Sequence, residues 1–84
     1  MNDFLKLVEE KVKKNIKIEN ILIIDNSSKH KKHKFFDSNK YHLTLEIESD
    51  YLKSIDKVHA QRQVMKILDK ELKEKIHALE IKIK

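Results

Sequence analysis

The chain has 84 residues, of which 19 are Lys or Arg and 14 are Asp or Glu, giving a formal charge of +5 with His neutral, and it contains no Cys, Gly or Pro. This length makes one small domain over residues 1–84, with a thin stability margin. The absence of Cys excludes a disulfide framework and any thiolate ligand from the chain itself. No apolar run approaches the roughly 20 residues of a membrane span and no signal-peptide core opens the sequence, so the chain reads as soluble and cytoplasmic, with no membrane partner.

Phe4, Leu5, Val8 and Val12 recur at helical spacing, with Glu9, Glu10, Lys13 and Lys14 between them. Residues 3–15 are thus predicted to form an amphipathic helix that packs on a sheet, with Asp3 favouring its start. The isoleucine-rich run 18–25 reads as a strand, closed by the turn chemistry of Asp25, Asn26, Ser27 and Ser28. Residues 26–39 form a long polar loop carrying His30 and His33 among lysines. Loops of that length in a compact domain are commonly functional.

Tyr41, Leu43, Leu45 and Ile47 then alternate with His42, Thr44, Glu46 and Glu48, the pattern of a strand with one wet face. A short helical turn is predicted over 51–55 and a helix over 57–74 whose buried stripe is Val58, Met65, Leu68 and Leu72. Asp69 with Lys73, and Glu71 with Lys75, make ion pairs on its exposed face. The last strand, 76–83, places Leu79, Ile81 and Ile83 on one face and Ala78, Glu80 and Lys82 on the other.

The order is α-β-β-α-α-β, an α+β domain with a three-stranded mixed sheet. The first two strands pair antiparallel, and the strand-helix-strand crossover sets the last strand parallel to the second. Parallel strands begin at the same end. His42 opens the second strand, His77 opens the third, and the loop bearing His30 and His33 hangs from that end; His59, early in the long helix, lies elsewhere. Histidine is the side chain most readily used as a neutral metal ligand. From position alone, His77 is either a ligand or, sharing the parity of Leu79 and Ile81, a residue hydrogen-bonded beneath the sheet edge. His30 and His33 read by default as solvated loop residues, and His42 as an edge residue that steadies the site. No compact Cys/His motif marks a zinc centre.

The positive charge would suit nucleic acid or an acidic protein surface, and the helix residues Lys57, Arg62, Lys66, Lys70 and Lys73 would supply such a face. With Arg62 as the single arginine, bidentate reading of guanine edges is not the main activity. The surplus of Lys, Ile and Asn also has a plain account in AT-rich codon usage. No paired carboxylates, nucleophile-base set or phosphate-cradling glycine loop is present, so the chain reads as a non-enzyme.

Four separated segments, Asp25-Asn26-Ser27-Ser28-Lys29-His30, the run from His42 to Asp50, Gln61-Arg62 and Ile76-His77-Ala78-Leu79, follow the order and spacing of one family. Across nearly its whole length the chain resembles the BolA family. It departs from that pattern at Ala60-Gln61-Arg62, where many members have Arg-His-Arg, and at Leu52 and Ser54, where an aromatic and a glycine are common. The resemblance implies a fold similar to class II KH domains and a partner of monothiol glutaredoxins in iron-sulfur assembly, transfer or sensing. It implies that His77 ligates a shared 2Fe-2S cluster, with His30, or alternatively His33, as second ligand. The glutaredoxin Cys and glutathione would complete the set, so the isolated protein would be metal-free. Imidazole ligation raises the potential of such a cluster. A second reading suggested by the KH-like fold is a DNA-binding transcriptional regulator, although a chain without glycine cannot build the Gly-x-x-Gly backbone clamp of KH domains.

Overall fold

The computed structural model describes residues 3–27 and 40–84. The elements run α1 (Asp3–Asn15), β1 (Asn20–Asp25), β2 (Tyr41–Glu48), α2 (Asp50–Ser54), α3 (Lys57–Ile67), α4 (Asp69–Glu74) and β3 (Ile76–Ile83). The sheet order is β1-β2-β3, with β1 antiparallel to β2 and β3 parallel to it. The α+β class, the mixed three-stranded sheet and the element order are those predicted. β1 begins at Asn20, two residues later than the hydrophobic run, because Ile18 packs against the core from the connection after α1.

The helices cover one face of the sheet. Leu5, Val8 and Val12 of α1 are buried as their spacing requires. Val8 and Val12 join Leu45 and Ile47 of the central strand, Leu52 of α2, and Ala60, Val64 and Leu68 of the α3 region in the core. Removal of such side chains from water is the main stabilising term of the fold. β2 is less wet on its other face than alternation suggested. Thr44 is buried there, accepting a hydrogen bond from Asn26 Nδ2 at 2.8 Å and donating to Glu80 Oε1 at 3.3 Å.

The long helix differs from expectation in two respects. It is interrupted at Leu68, whose φ of −96° and ψ of 19° leave the helical region, so that α3 and α4 are separate helices. The buried residues Ala60, Val64 and Leu68 step by four. On a helix of 3.6 residues per turn that row drifts around the axis, and the break at Leu68 re-aims the last turn and a half toward the core. Of the four residues expected in the buried stripe, Leu68 is buried and Leu72 packs partly buried, whereas Val58 and Met65 are exposed, and the small Ala60 takes the close-packed position instead.

Glu71 is the second correction. It is buried, not paired with Lys75 on the surface, and both of its carboxylate oxygens receive Lys11 Nζ of α1, at 2.9 and 3.1 Å. The expected Asp69–Lys73 pair is present at 3.1 Å. Among the described residues no helix is long and apolar enough to cross a membrane.

Candidate functional site

The starts of β2 and β3 meet above a small apolar floor. Leu5, Leu43 and Ile76 are buried together there, and the Phe4 ring stacks on Tyr41 with centroids 4.6 Å apart. Tyr41 donates its backbone N–H to the Lys75 carbonyl at 2.7 Å, tying the two strand starts together.

The register slips by one residue at this point. Tyr41 is opposite Ile76, but His42 is opposite Ala78, so His77 is an extra residue in β3. A bulge of this kind puts two residues against one and re-aims the side chain of the extra one. Ile76 is thereby kept in the core together with Ile81, and His77 is exposed. This corrects the parity reading: regular alternation would have placed His77 under the sheet with Leu79 and Ile81. Instead its ring lies beside that of His42 on the open face, with centroids 5.0 Å apart and planes tilted by 38°.

His42 is fixed through its backbone. Asn26 donates its N–H to the His42 carbonyl at 2.7 Å, and Ser27 Oγ accepts the His42 N–H at 3.2 Å. The turn is itself closed by Asp25 Oδ1, which accepts the Ser27 N–H at 2.9 Å, an Asx-turn of the type its residues favour. Beside His42, a shallow cavity of about 230 Å³ is bounded by Asn26, Thr44, Ala78 and Glu80. The turn residues were visible in the sequence as a strand terminator. Their hold on His42 was not, because the partner is fifteen positions away in the chain.

The structure therefore brings together two of the four histidines expected at this end. His30 and His33 lie outside the described residues. His59 is placed elsewhere, in the first turn of α3, where its backbone N–H and its ring nitrogen both bond to Asp56. Among the described residues no group of three His, Cys, Asp or Glu side chains is placed to hold a metal ion. The His77 imidazole is a nitrogen donor of the kind found in some 2Fe-2S sites, and His42 lies against it. His77 stands at the surface, where a second protein can reach it.

Lys57, Arg62, Lys66, Lys70 and Lys73 are all exposed on α3 and α4, with Lys73 paired to Asp69. Arg62 lies between the exposed apolar residues Val58 and Met65 at helical spacing.

The sequence matches the family model described as BolA-like protein over residues 12–84. The chain belongs to the BolA family. Comparison of the fold agrees. The chain is similar to the BolA domain of SufE1 from Arabidopsis thaliana, with 28% identity, coverage of 100% of this chain and 93% of that one, and a TM-score of 0.83. It is similar to BolA1 from the same plant, with 25% identity, coverage of 99% and 92%, and a TM-score of 0.81. BolA1 from Mus musculus, 18% identical over 98% of this chain and 64% of that one, shares the fold with a TM-score of 0.77. Comparison with curated proteins gave no match. In this BolA domain the histidine that opens β3 is the one the register slip turns outward.

Proposed function

We propose that this BolA-family protein is a non-catalytic, cytoplasmic partner of a monothiol glutaredoxin and lends imidazole to a 2Fe-2S cluster shared between them. His77 is one ligand and His30 or His33 the other, with the glutaredoxin Cys and glutathione completing the set. The observation that carries this reading is the exposure of His77 as the surplus residue of β3, beside His42 and braced by paired strand starts. A cluster held between two proteins requires a donor that reaches outward from a rigid frame. His42 steadies that frame. The start of β3 and the helix face around Arg62, with Val58 and Met65 beside it, form the docking surface; exposed apolar residues next to an arginine are common in protein interfaces.

The test is anaerobic mixing with a monothiol glutaredoxin, glutathione, iron and sulfide, followed by visible absorption and circular dichroism. Wild type is expected to convert the glutaredoxin cluster spectrum to a new one, and His77→Ala to leave it as it was. His30→Ala and His33→Ala then identify the second ligand. A spectrum unchanged by a stoichiometric excess of wild type would sink the proposal.

DNA binding is a second reading, favoured by the exposure of Lys57, Arg62 and Lys66 on α3 and of Lys70 and Lys73 on α4. Affinity that falls steeply with salt and is indifferent to sequence would mark it as charge attraction alone.

A further inference from the structure

β3 is hydrogen-bonded to β2 on one side, and no described strand pairs with it on the other. Successive residues of a strand turn their backbone groups to opposite edges. Lys84 donates its N–H to Ile47 of β2 at 2.8 Å, so Leu79, Ile81 and Ile83 turn their backbone groups away from β2. Gln61 of α3 agrees with that direction, since its side-chain amide donates to the Ile81 carbonyl at 3.3 Å. Among the described residues, a single long side-chain bond thus stands where a strand would make a ladder.

Alongside this edge lies an open groove of about 720 Å³, bounded by β3, α2 and the first turn of α3. Leu52 and Ala60 are buried at its floor and Ile55 is half-buried beside them, while Lys53, Lys57 and Lys82 are exposed around it, with Glu80 the one acid among the described lining residues. The nearby acids hold these lysines only loosely: Lys53 is 4.0 Å from Asp50 and Lys82 is 4.0 Å from Glu80.

We infer that this groove receives an extended acidic peptide, which adds to β3 as a fourth strand. The peptide backbone bonds to Leu79, Ile81 and Ile83 and displaces the Gln61 amide, the addition mode that open sheet edges support. Alternate side chains pack against the half-buried Ile55, Leu79 and Ile83, and acidic ones between them meet the lysines. Charge selects this occupant over the others. A second copy would bring the same excess of lysine and a charge of +5. A single-stranded nucleic acid requires stacking platforms, and among the described residues no aromatic side chain or arginine lines the groove. The site lies along the length of β3, apart from the His42–His77 pair at its start, and does not depend on a cluster or a glutaredoxin.

The test uses the full chain labelled with nitrogen-15 and an acetylated, amidated octapeptide of alternating valine and glutamate, without glutaredoxin, iron or sulfide. The amides of Leu79, Ile81 and Ile83 are expected to shift and, at saturation, to exchange about tenfold more slowly with solvent. Lys53→Glu combined with Lys57→Glu is expected to weaken binding about tenfold or more. The valine-lysine counterpart, and a glutamate peptide N-methylated at alternate residues, are expected not to bind. The proposal is overturned by the absence of shifts at millimolar peptide, by shifts confined to the His42–His77 face, or by unchanged binding of the N-methylated peptide. Self-association through these same amides without peptide, or oligothymidylate shifting them where the peptide does not, would also overturn it by assigning the edge to a second copy or to nucleic acid.

Discussion

The His42 and His77 rings lie 5.0 Å apart because β2 and β3 are out of step by one residue where they begin. The surplus residue is His77 itself, so the fold has no need of it. Deleting His77 is expected to give a regular β3 in which Ile76 and Ile81 keep their places, with stability within about 2 kcal/mol of wild type. Deleting Glu80, three positions on, moves Ile81 to the open face and turns Lys82 toward the core; a one-residue slip of this kind inverts every later side chain. That variant is expected not to fold cooperatively. Urea unfolding followed by circular dichroism compares the two, and loss of the fold in the His77 deletion would refute the surplus role.

Substitution at the same position is milder. The His77 side chain is exposed, and surface changes of this kind usually alter stability by no more than about 0.5 kcal/mol. His77→Ala is therefore expected to unfold at the same urea concentration as wild type while losing the cluster spectrum. A large drop in the unfolding midpoint would instead reveal a structural histidine.

Most of the fold was legible because its elements rest on local pattern. The α1 stripe of Leu5, Val8 and Val12 and the alternation through Leu43, Leu45 and Ile47 each carry their own period. The handedness of crossover connections then fixes the direction of β3. What could not be read depends on contacts between distant positions. Glu71 looked like a surface residue beside Lys75, and only the approach of α1 gives it Lys11. The outward turn of His77 depends on a register slip, which leaves no mark in a sequence that still alternates from Leu79 to Ile83. At the site, the strand ends carrying His42 and His77 were predictable from topology, whereas the grip of Asn26 and Ser27 on His42 was not.

The Lys11–Glu71 pair joins α1 to α4 with a buried carboxylate and a lysine about one-third exposed at 34%. Removing the cation strands the acid. Lys11→Ala is expected to cost about 1–3 kcal/mol, toward the lower end because solvent reaches the lysine. Lys11→Met with Glu71→Leu replaces both charges by apolar groups and is expected to recover most of the loss. Urea midpoints of the two variants test this; a double variant no more stable than Lys11→Ala would show that the pair contributes more than its packing.

The start of α3 supplies a pH dependence of definite sign. The His59 backbone N–H, and then the His59 ring, hold the Asp56 carboxyl below its ordinary range. The Lys84 ammonium acts on Glu46 in the same direction, chiefly through a side-chain hydrogen bond. A carboxyl whose pKa is lower in the folded chain stabilises it fully above the unfolded value, about 3.9 for Asp and 4.3 for Glu. That stabilisation fades as the pH falls through the lower folded values. Asp56→Asn keeps a capping oxygen and does not titrate. The stability difference between wild type and Asp56→Asn is therefore expected to shift against wild type on acidification below about pH 4. Urea midpoints measured from neutrality into that range check it, and a difference independent of pH would overturn the assignment.

Ser49 joins three segments through one hydroxyl. It is fully buried; its Oγ accepts the Leu52 N–H at 3.1 Å, capping α2, and donates to the Lys17 carbonyl at 2.8 Å, fastening the connection between α1 and β1. Ser49→Ala leaves a donor and an acceptor without their partner and is expected to cost about 1–3 kcal/mol. Ser49→Asp separates the two roles, because a carboxylate caps a helix as well as a hydroxyl but has no proton for Lys17. If capping were the whole function, Asp would restore stability. The geometry requires donation as well, and a carboxylate against the Lys17 carbonyl is repulsive. Ser49→Asp is thus expected to be at least as unstable as Ser49→Ala by thermal and urea unfolding, and recovery to the wild-type midpoint would reduce Ser49 to a simple cap.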